Sequence, residues 1–359
     1  MQDKGLLFIP DISGFTRFVN ETDIAHSRLI IQELLETIIN SNEIGLEVSE
    51  VEGDAVLFYK FCNPPSLSEL FAQIEKTFCS FHQSLTSYEL RRYCQCNACM
   101  SAVNLSLKII THYGEFSTYS VKNFRKLIGK DIIVAHQLLK NDIDQHEYWL
   151  VTTNMLDQKT PESLAQWMKW VESSKKTDSG EIQFMYTQLG ELRGQVKALP
   201  PPAIDLSKML KVASASHEYD TGLIRLFHAA GDFNHRHQWM EGVIRVEEVG
   251  HFLPRVGMRC RCVFKDREVI TTASSYRYST ERIEFSETEE GSGNTTNFIL
   301  EKLDNGKARC TLTYYLKKNV FSYTVFLTGK AKVKERSFQH SLKNIESVLP
   351  QIQLPPGVE

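Results

Sequence analysis

The chain has 359 residues, of which 42% are hydrophobic and 24% are charged, and its formal net charge is −3. This length exceeds what one hydrophobic core usually spans, so we expect two domains. The small net charge and the lack of a long basic run argue against a nucleic-acid partner. No stretch of about 20 apolar residues occurs, so we also expect no membrane span.

Hydrophobic periodicity predicts the elements of the first half. Two apolar, strand-like segments cover residues 8–16 and 48–58, with a helix at 24–44 between them. The second segment lies within a predicted strand, turn and strand at 46–61. Further predicted elements are a helix at 66–92, a strand at 103–112 followed by a short loop, a helix at 129–141, a strand at 148–153, a short helix at 161–172, a loop at 175–180 and a closing hairpin at 182–196.

The second half has a different pattern, in which short alternating strands follow one another. After a helical region from about residue 205, strands are predicted at 243–249, 259–264, 268–278, 282–289, 297–302 and 307–315, with a long final helix at 322–348. Such an antiparallel sheet closed by a helix leaves a cavity between them. We therefore predict an α+β chain with domains at 1–198 and 205–359, joined by a proline-rich connector at 199–204.

Each of the two apolar runs near the N-terminus delivers one aspartate, Asp11 and Asp54. Antiparallel pairing of these strands would bring both carboxylates to one edge of a sheet. Converging carboxylates suit Mg²⁺ or Mn²⁺ holding a nucleoside triphosphate, because hard cations prefer oxygen ligands. The alternative is that both aspartates only cap or turn the chain.

These segments resemble the class III nucleotidyl cyclases. Asp11-Ile-Ser-Gly-Phe-Thr16 and Glu50-Val-Glu-Gly-Asp54 look like the family's metal-binding motifs. The segment from Leu105 to Glu115 is similar to its central strand, and the segment from Ile128 to Leu138 occupies the place of its Asn/Arg-bearing helix. The resemblance covers roughly residues 4–198 and implies a ferredoxin-like domain that works as a homodimer.

The resemblance also assigns roles to single residues. It implies that Asp11, Asp54 and the Ile12 carbonyl hold the metal, and that Glu50 and Lys126 contact the base. Glu50 leans towards guanine, whereas Lys126 matches neither usual choice. Ile133 and Gln137 stand where the family has the Asn and Arg that stabilise the transition state.

Cyclisation builds charge on phosphate oxygens, where an arginine contributes several kcal/mol. A neutral Gln137 cannot replace it, so no residue is assigned a catalytic role with confidence. The favoured hypothesis is a degenerate, cyclase-like signalling protein or sensor that binds metal and nucleotide without efficient cyclisation. The alternative is an active, atypical cyclase, for guanylate or another base, in which Arg125, Lys126 or Lys140 supplies the missing donor.

The second half resembles the START/polyketide-cyclase (SRPBCC) helix-grip superfamily over roughly residues 210–350. The segment Asp232–Val243, with Trp239, and Pro254-Arg-Val-Gly257 carry this resemblance. It implies a cavity for a hydrophobic small molecule. Trp239, Phe264 and Tyr276 are the candidate lining residues, although sheet-face aromatics are core residues by default.

Three of the eight cysteines form the cluster Cys94, Cys96 and Cys99. Three thiols in six residues could supply a structural zinc site, with Cys62, Cys79 or His82 as fourth ligand, or they could be free or redox-active thiols. Irregular cysteine spacing and the absence of a signal peptide favour a cytoplasmic location with reduced thiols.

Overall fold

The structure is a computed structural model that describes residues 3–22, 24–92, 94, 96–122, 124–156, 161, 163–177, 180–200, 204–250, 255–317 and 329–354. The chain divides into two compact units, Met1–Glu89 with Asn97–Leu199, and Leu90–Cys96 with Pro200–Glu359. Part of the predicted connector, residues 201–203, lies outside the described residues. Each unit combines a sheet with helices, so the predicted α+β class is confirmed.

The first unit is one mixed sheet with helices. Its elements are β1 (Asp3–Ser13), α1 (Phe15–Glu21), α2 (Ile24–Asn40), β2 (Glu47–Glu52), β3 (Ala55–Phe61), α3 (Leu67–Arg91), α4 (Asn97–Ser101), β4 (Ser106–Val121), β5 (Phe124–Ile128), α5 (Lys130–Leu139), β6 (Tyr148–Thr152), β7 (Val171–Thr177) and β8 (Gly180–Gln188). The strand order is β2-β3-β1-β4-β6-β8-β7, and β5 pairs with β4. Only the pairing of β4 with β6 is parallel among these.

Strand β1 lies at the centre of this sheet, between β3 and β4. Its residues from 5 to 13 are buried without interruption, because both faces of the sheet are covered. A strand covered on both faces reads as a continuous apolar run and not as an alternating one. On one face, Leu7 and Ile9 pack in a cluster that contains Ala135 and Leu138 of α5.

The structure corrects the sequence prediction around the closing strands. No helix forms among the described residues of 161–172, and residues 171–177 are a strand that pairs with β8 in a hairpin. The described residues of the predicted loop at 175–180 instead belong to strands, residues 175–177 to β7 and residue 180 to β8, and residues 178–179 lie outside the described part. The predicted hairpin at 182–196 is the end of β8 followed by a 3-10 turn, Gly190–Gln195. Strand β7 escaped prediction because it is a polar edge strand without apolar alternation.

Strand β4 is also longer than predicted. It continues beyond residue 112 to Val121 and turns back into β5, where the sequence indicated only a short loop. The extension carries mainly half-buried and exposed side chains, so its hydrophobic signal is weak. This hairpin matters because it carries Lys126 towards the candidate site.

The second unit is an antiparallel sheet with a long final helix, as predicted. Its elements are β9 (Met209–Tyr219), α6 (Leu223–Gly231), α7 (Arg236–Trp239), β10 (Arg245–Glu248), β11 (Arg259–Val263), β12 (Glu268–Tyr278), β13 (Arg282–Glu289), β14 (Thr295–Lys302), β15 (Ala308–Lys317) and α8 (Lys330–Val348). The strand order is β10-β11-β12-β13-β14-β15-β9. The predicted helical region after residue 205 begins with a 3-10 turn, Leu206–Lys208, but is then interrupted by β9 before α6 and α7. Residues 322–328 of the predicted final helix lie outside the described residues.

Helix α8 is fixed to the sheet at its C-terminal half. The Tyr219 hydroxyl of β9 donates a hydrogen bond of 2.7 Å to the Leu342 carbonyl. Leu342, Ile345 and Val348 are fully buried in the core of this unit. Across the described ranges, no helix has both the length and the apolar character that crossing a membrane requires.

Candidate functional site

The two predicted metal-binding aspartates lie on neighbouring strands of the first unit. Asp11 pairs in register with Ala55, so Asp54 sits at the adjacent strand end. The Ile12 amide donates a hydrogen bond of 2.9 Å to the Asp54 carbonyl, which fixes the two backbones together. Gly53 has a φ of +61°, a left-handed conformation that favours glycine in the β2–β3 turn. Asp11 is only 7% exposed, whereas Asp54 is half-buried.

A lysine that the sequence reasoning missed stands beside this pair. Lys108 of β4 lies opposite Asp11, and its Nζ is 3.4 Å from Asp11 Oδ1. The same ammonium donates a hydrogen bond of 3.0 Å to the Leu139 carbonyl at the end of α5. Burial raises the pKa of Asp11 to about 6, against the effect of Lys108 and with a further contribution from Asp54. Burial also raises the pKa of Asp54.

The two predicted base-contacting residues form an ion pair with each other. The Lys126 ammonium of β5 donates a hydrogen bond to the Glu50 carboxylate of β2, and this hydrogen bond raises the pKa of Lys126. His136 of α5 lies next to them, with Nε2 4.0 Å from Glu50 and Nδ1 3.7 Å from Glu52. His136 and Glu52 were not predicted for this site, because helix α5 meets β2 only in the folded sheet.

Helix α5 carries the two residues that depart from the cyclase pattern. Ile133 is 55% exposed, and it can offer no hydrogen bond to a phosphate. Gln137 is half-buried, and its side-chain oxygen has no hydrogen-bond donor among the described residues. The Lys175 ammonium of β7 donates a hydrogen bond of 2.8 Å to the Gln137 carbonyl, so a cation does reach this part of the helix.

The predicted replacement donors are less well placed than Lys175. Arg125 lies 3.5 Å from the Glu47 carboxylate and over the ring of Tyr59. Lys140 is exposed and follows the last residue of α5. Among the described contacts, neither the Arg125 nor the Lys140 side chain brings its positive charge to Gln137.

Helix α5 is tied to β4 by a buried histidine. His112 Nε2 lies 2.9 Å from Asp131 Oδ1, and His112 Nδ1 lies 2.8 Å from the Thr152 hydroxyl. The Glu115 amide donates a further hydrogen bond of 2.7 Å to Asp131 Oδ2. A Cβ at Gly114 would lie 2.2 Å from Asp131 Cγ, so glycine is required for this approach. These contacts set the position of α5 relative to the aspartate pair.

In the second unit, a cavity of about 330 Å³ lies between the sheet and α8. Phe264, one of the three predicted lining residues, does line it. Trp239 and Tyr276 are not among its lining residues: Trp239 is fully buried in the core, and Tyr276 packs against that core. The cavity floor also carries Arg236 and Glu287, a buried ion pair that the sequence reasoning did not anticipate.

All eight cysteines carry free thiols. In the first unit, Cys99 Sγ lies 3.5 Å from Nδ1 of His26, a histidine outside the predicted set. In the second unit, the Cys96 amide lies 3.4 Å from Cys94 Sγ. The zinc site at Cys94, Cys96 and Cys99 therefore stays a prediction.

Comparison with known proteins gives one family model, one curated relative and a group of solved structures. Residues 31–148 match a family described as a protein of unknown function (DUF2652). Over 129 residues the chain is 30% identical to the uncharacterized protein Rv2561/Rv2562 of Mycobacterium tuberculosis, a match of 33% of this chain. The chain thus spans about half the length of this relative, 56%.

The solved structures are similar to about half of the chain. A bacterial light-regulated adenylyl cyclase matches with 15% identity and a TM-score of 0.39, over 54% of this chain and 96% of that one. The guanylate cyclase domain of RhGC from Catenaria anguillulae in complex with GTP matches with 13% identity and a TM-score of 0.37, over 52% and 96%. These two structural neighbours are thus an adenylyl cyclase and a guanylate cyclase domain.

Proposed function

We propose that the first unit binds a nucleoside triphosphate together with Mg²⁺ or Mn²⁺ and converts it to a cyclic product slowly or not at all. The observation that carries this proposal is the contrast between two parts of one site. The carboxylates of Asp11 and Asp54 are held at adjacent strand ends, whereas α5 offers only Ile133 and Gln137 to the phosphates.

The aspartate pair fits a divalent cation. The raised pKa of Asp11 means that its ionised form is poorly stabilised by the protein alone, even with Lys108 at 3.4 Å. A cation with two positive charges would stabilise both carboxylates, and the Ile12 carbonyl is a further oxygen of the type that Mg²⁺ prefers. When bound, the metal would supply charge neutralisation for the triphosphate. The role of Asp11 and Asp54 is to hold it.

The ion pair of Glu50 and Lys126 supports a role in base recognition. Glu50 can accept hydrogen bonds from a base, and Lys126 fixes the orientation of its carboxylate. Since Glu50 already has one cationic partner, binding of a guanine would share the carboxylate with Lys126. The expected preference of this site is guanine over adenine, because the cyclase resemblance associates a glutamate at the position of Glu50 with guanine.

Poor cyclisation follows from the phosphate side of the site. The negative charge that develops in the transition state needs a fixed donor, and such a donor contributes several kcal/mol. The side chain of Ile133 has no donor, and Gln137 carries no charge. Binding can therefore persist where turnover is lost, because the two depend on different residues.

A second candidate function is slow nucleotidyl cyclisation, and Lys175 is the observation that favours it. Its ammonium reaches the Gln137 carbonyl, so a positive charge lies next to the position where the family has arginine. A cyclic product that disappears in Lys175→Met would support this second function.

We also propose that the chain forms a homodimer and resides in the cytoplasm. Cyclase-like sites need two domains, and the free thiols fit a reducing compartment. In this proposal the second unit, a START-like domain, binds a small molecule in the cavity beside α8 and regulates or accompanies the first unit.

The test is binding and product analysis on the full chain. Titration with GTP, ATP, CTP and UTP in the presence of Mn²⁺ or Mg²⁺ should give binding that Asp54→Asn weakens at least about tenfold. Mass spectrometry of the same mixtures should find little or no cyclic nucleotide. Absence of nucleotide binding under both metals would refute the proposal, and rapid formation of a cyclic nucleotide would replace it by the second candidate.

A further inference from the structure

The cavity of the second unit is more polar than a pocket for a purely hydrophobic molecule. Its apolar lining includes Met240, Phe264 and Phe338. Charged side chains of both signs also line it: Arg236, Glu241, Arg267, Glu287, Glu289, Lys330 and Lys334. Burying charges costs free energy unless each is paired, so the partners of these groups indicate what the cavity is suited to bind.

Each of the three acidic groups already has partners within the protein. Glu287 accepts hydrogen bonds from the guanidinium of Arg236, one of them 2.6 Å long. Glu241 lies 3.1 Å from His340. The Glu289 carboxylate accepts hydrogen bonds of 3.0 Å from Tyr314 and 2.8 Å from Ser292.

The cationic groups are different. Among the residues that the structure describes, Arg267, Lys330 and Lys334 make no ion pair with a carboxylate.

Two of these cations are held in place by aromatic rings. Lys334 Nζ lies 4.5 Å from the centroid of the Tyr314 ring and 4.8 Å from that of Phe338. The Arg267 guanidinium lies 5.0 Å from the centroid of Phe264. Aromatic faces attract cations without neutralising them. Both cations are thus oriented beside the cavity, and among the described residues neither has a carboxylate within ion-pair distance.

We propose that this cavity binds an amphipathic organic anion, whose acidic group contacts Lys334 and Arg267 and whose apolar body packs on the aromatic lining. This inference specifies the ligand class for the second unit and rests only on that half of the proposed function. It replaces the purely hydrophobic ligand expected from the sequence by one with a carboxylate or phosphate group.

Two further features fit an anion at this position. Lys334 lies in the second turn of α8, and the positive end of a helix dipole stabilises negative charge near the first turn. Burial lowers the pKa of Lys334 although the Glu289 carboxylate acts in the opposite direction, so the protein alone stabilises the charged form of Lys334 incompletely. An anion bound beside it would restore that stabilisation.

The experiment is calorimetric titration of the full chain with octanoate, octyl phosphate and 1-octanol, which share an apolar tail and differ in head group. We expect at least one of the two anions to bind about tenfold or more tightly than 1-octanol, since charge-assisted hydrogen bonds are the stronger ones. The tighter of the two anions identifies the acidic group. Equal affinity for the alcohol and both anions, or no binding of any of them, would overturn the proposal.

Matched variants on one helix test the role of Lys334. Lys334→Met keeps the aliphatic stem and should remove most of the preference for the anion, while Lys343→Met on the exposed face of α8 should leave it unchanged. Retention of the preference in Lys334→Met would assign the selectivity elsewhere and contradict the proposal. Circular dichroism establishes that both variants are folded. Titration of Asp54→Asn with the same anions separates this test from nucleotide binding, because that variant should bind them like the unmodified chain.

Discussion

Replacing Asp11 by asparagine should stabilise the first unit at neutral pH. The pKa of Asp11 is raised from 3.8 to about 6, chiefly by burial, so the folded state holds its proton more tightly than the unfolded state. Between these two pH values the folded state therefore loses stability as the pH rises. The difference corresponds to about 3 kcal/mol, at about 1.4 kcal/mol for each factor of ten. Since Asp11 is 7% exposed, solvent screening reduces this value little.

Urea unfolding followed by circular dichroism measures the effect. At about pH 7.5, Asp11→Asn should raise the free energy of unfolding by about 3 kcal/mol, and the gain should shrink towards zero as the pH falls through 6 to below 3.8. Asp3→Asn, at an exposed position on the same strand, is the matched control and should change little. A gain that does not depend on pH, or a loss of stability at neutral pH, would refute the electrostatic explanation.

Urea unfolding with and without added metal also tests whether this site binds a divalent cation. Mg²⁺ or Mn²⁺ should stabilise the unmodified protein at neutral pH, because a ligand that binds only the folded state raises the free energy of unfolding. The Asp11→Asn variant should respond much less. An equal response of both proteins would place the cation elsewhere.

Three further predictions concern other parts of the chain. Glu50→Gln should reduce the ratio of GTP to ATP affinity severalfold, as measured by competition titration, and an unchanged ratio would exclude Glu50 from base recognition. Glu287→Gln should lower the free energy of unfolding by about 3–5 kcal/mol, since it leaves the fully buried Arg236 unpaired, and the double variant with Arg236→Met should recover much of this loss in urea. If the cysteine cluster holds zinc, elemental analysis of purified protein should find about one equivalent, and Cys99→Ser should lose it; absence of zinc from the unmodified protein would leave free thiols as the explanation.

Much of the fold could be predicted because its central elements carry strong periodic signals. Strands β12 and β13 coincide with the predicted ranges, and α2 and α3 begin within a residue of their predicted starts. The proximity of Asp11 and Asp54 could be predicted because each aspartate lies in or beside a clear apolar run, and antiparallel pairing of two such runs brings both carboxylates to one edge of the sheet. The polar edge strand β7 was missed because it has no hydrophobic face of its own. Its pairing with β8 stabilises it instead.

The rest of the candidate site could not be predicted because it depends on register between distant elements. Lys108 faces Asp11 only through the pairing of β4 with β1, and His136 reaches Glu50 only after α5 packs against the sheet. The buried pair of Arg236 and Glu287 joins a short helix to a strand across the core of the second unit. The sequence alone does not indicate whether a charged side chain is solvated by water or forms an ion pair within the protein.

The hydrogen bond from Lys108 to the Leu139 carbonyl connects the aspartate site to the C-terminal end of α5. One ammonium group is shared between the Asp11 carboxylate and the last residue of α5. Any change in the charge at Asp11, by a proton or by a cation, alters how strongly Lys108 is held there, and its other contact is the end of the helix that carries Gln137. A single lysine side chain therefore couples the ionisation state of a buried carboxylate to the C-terminal end of α5.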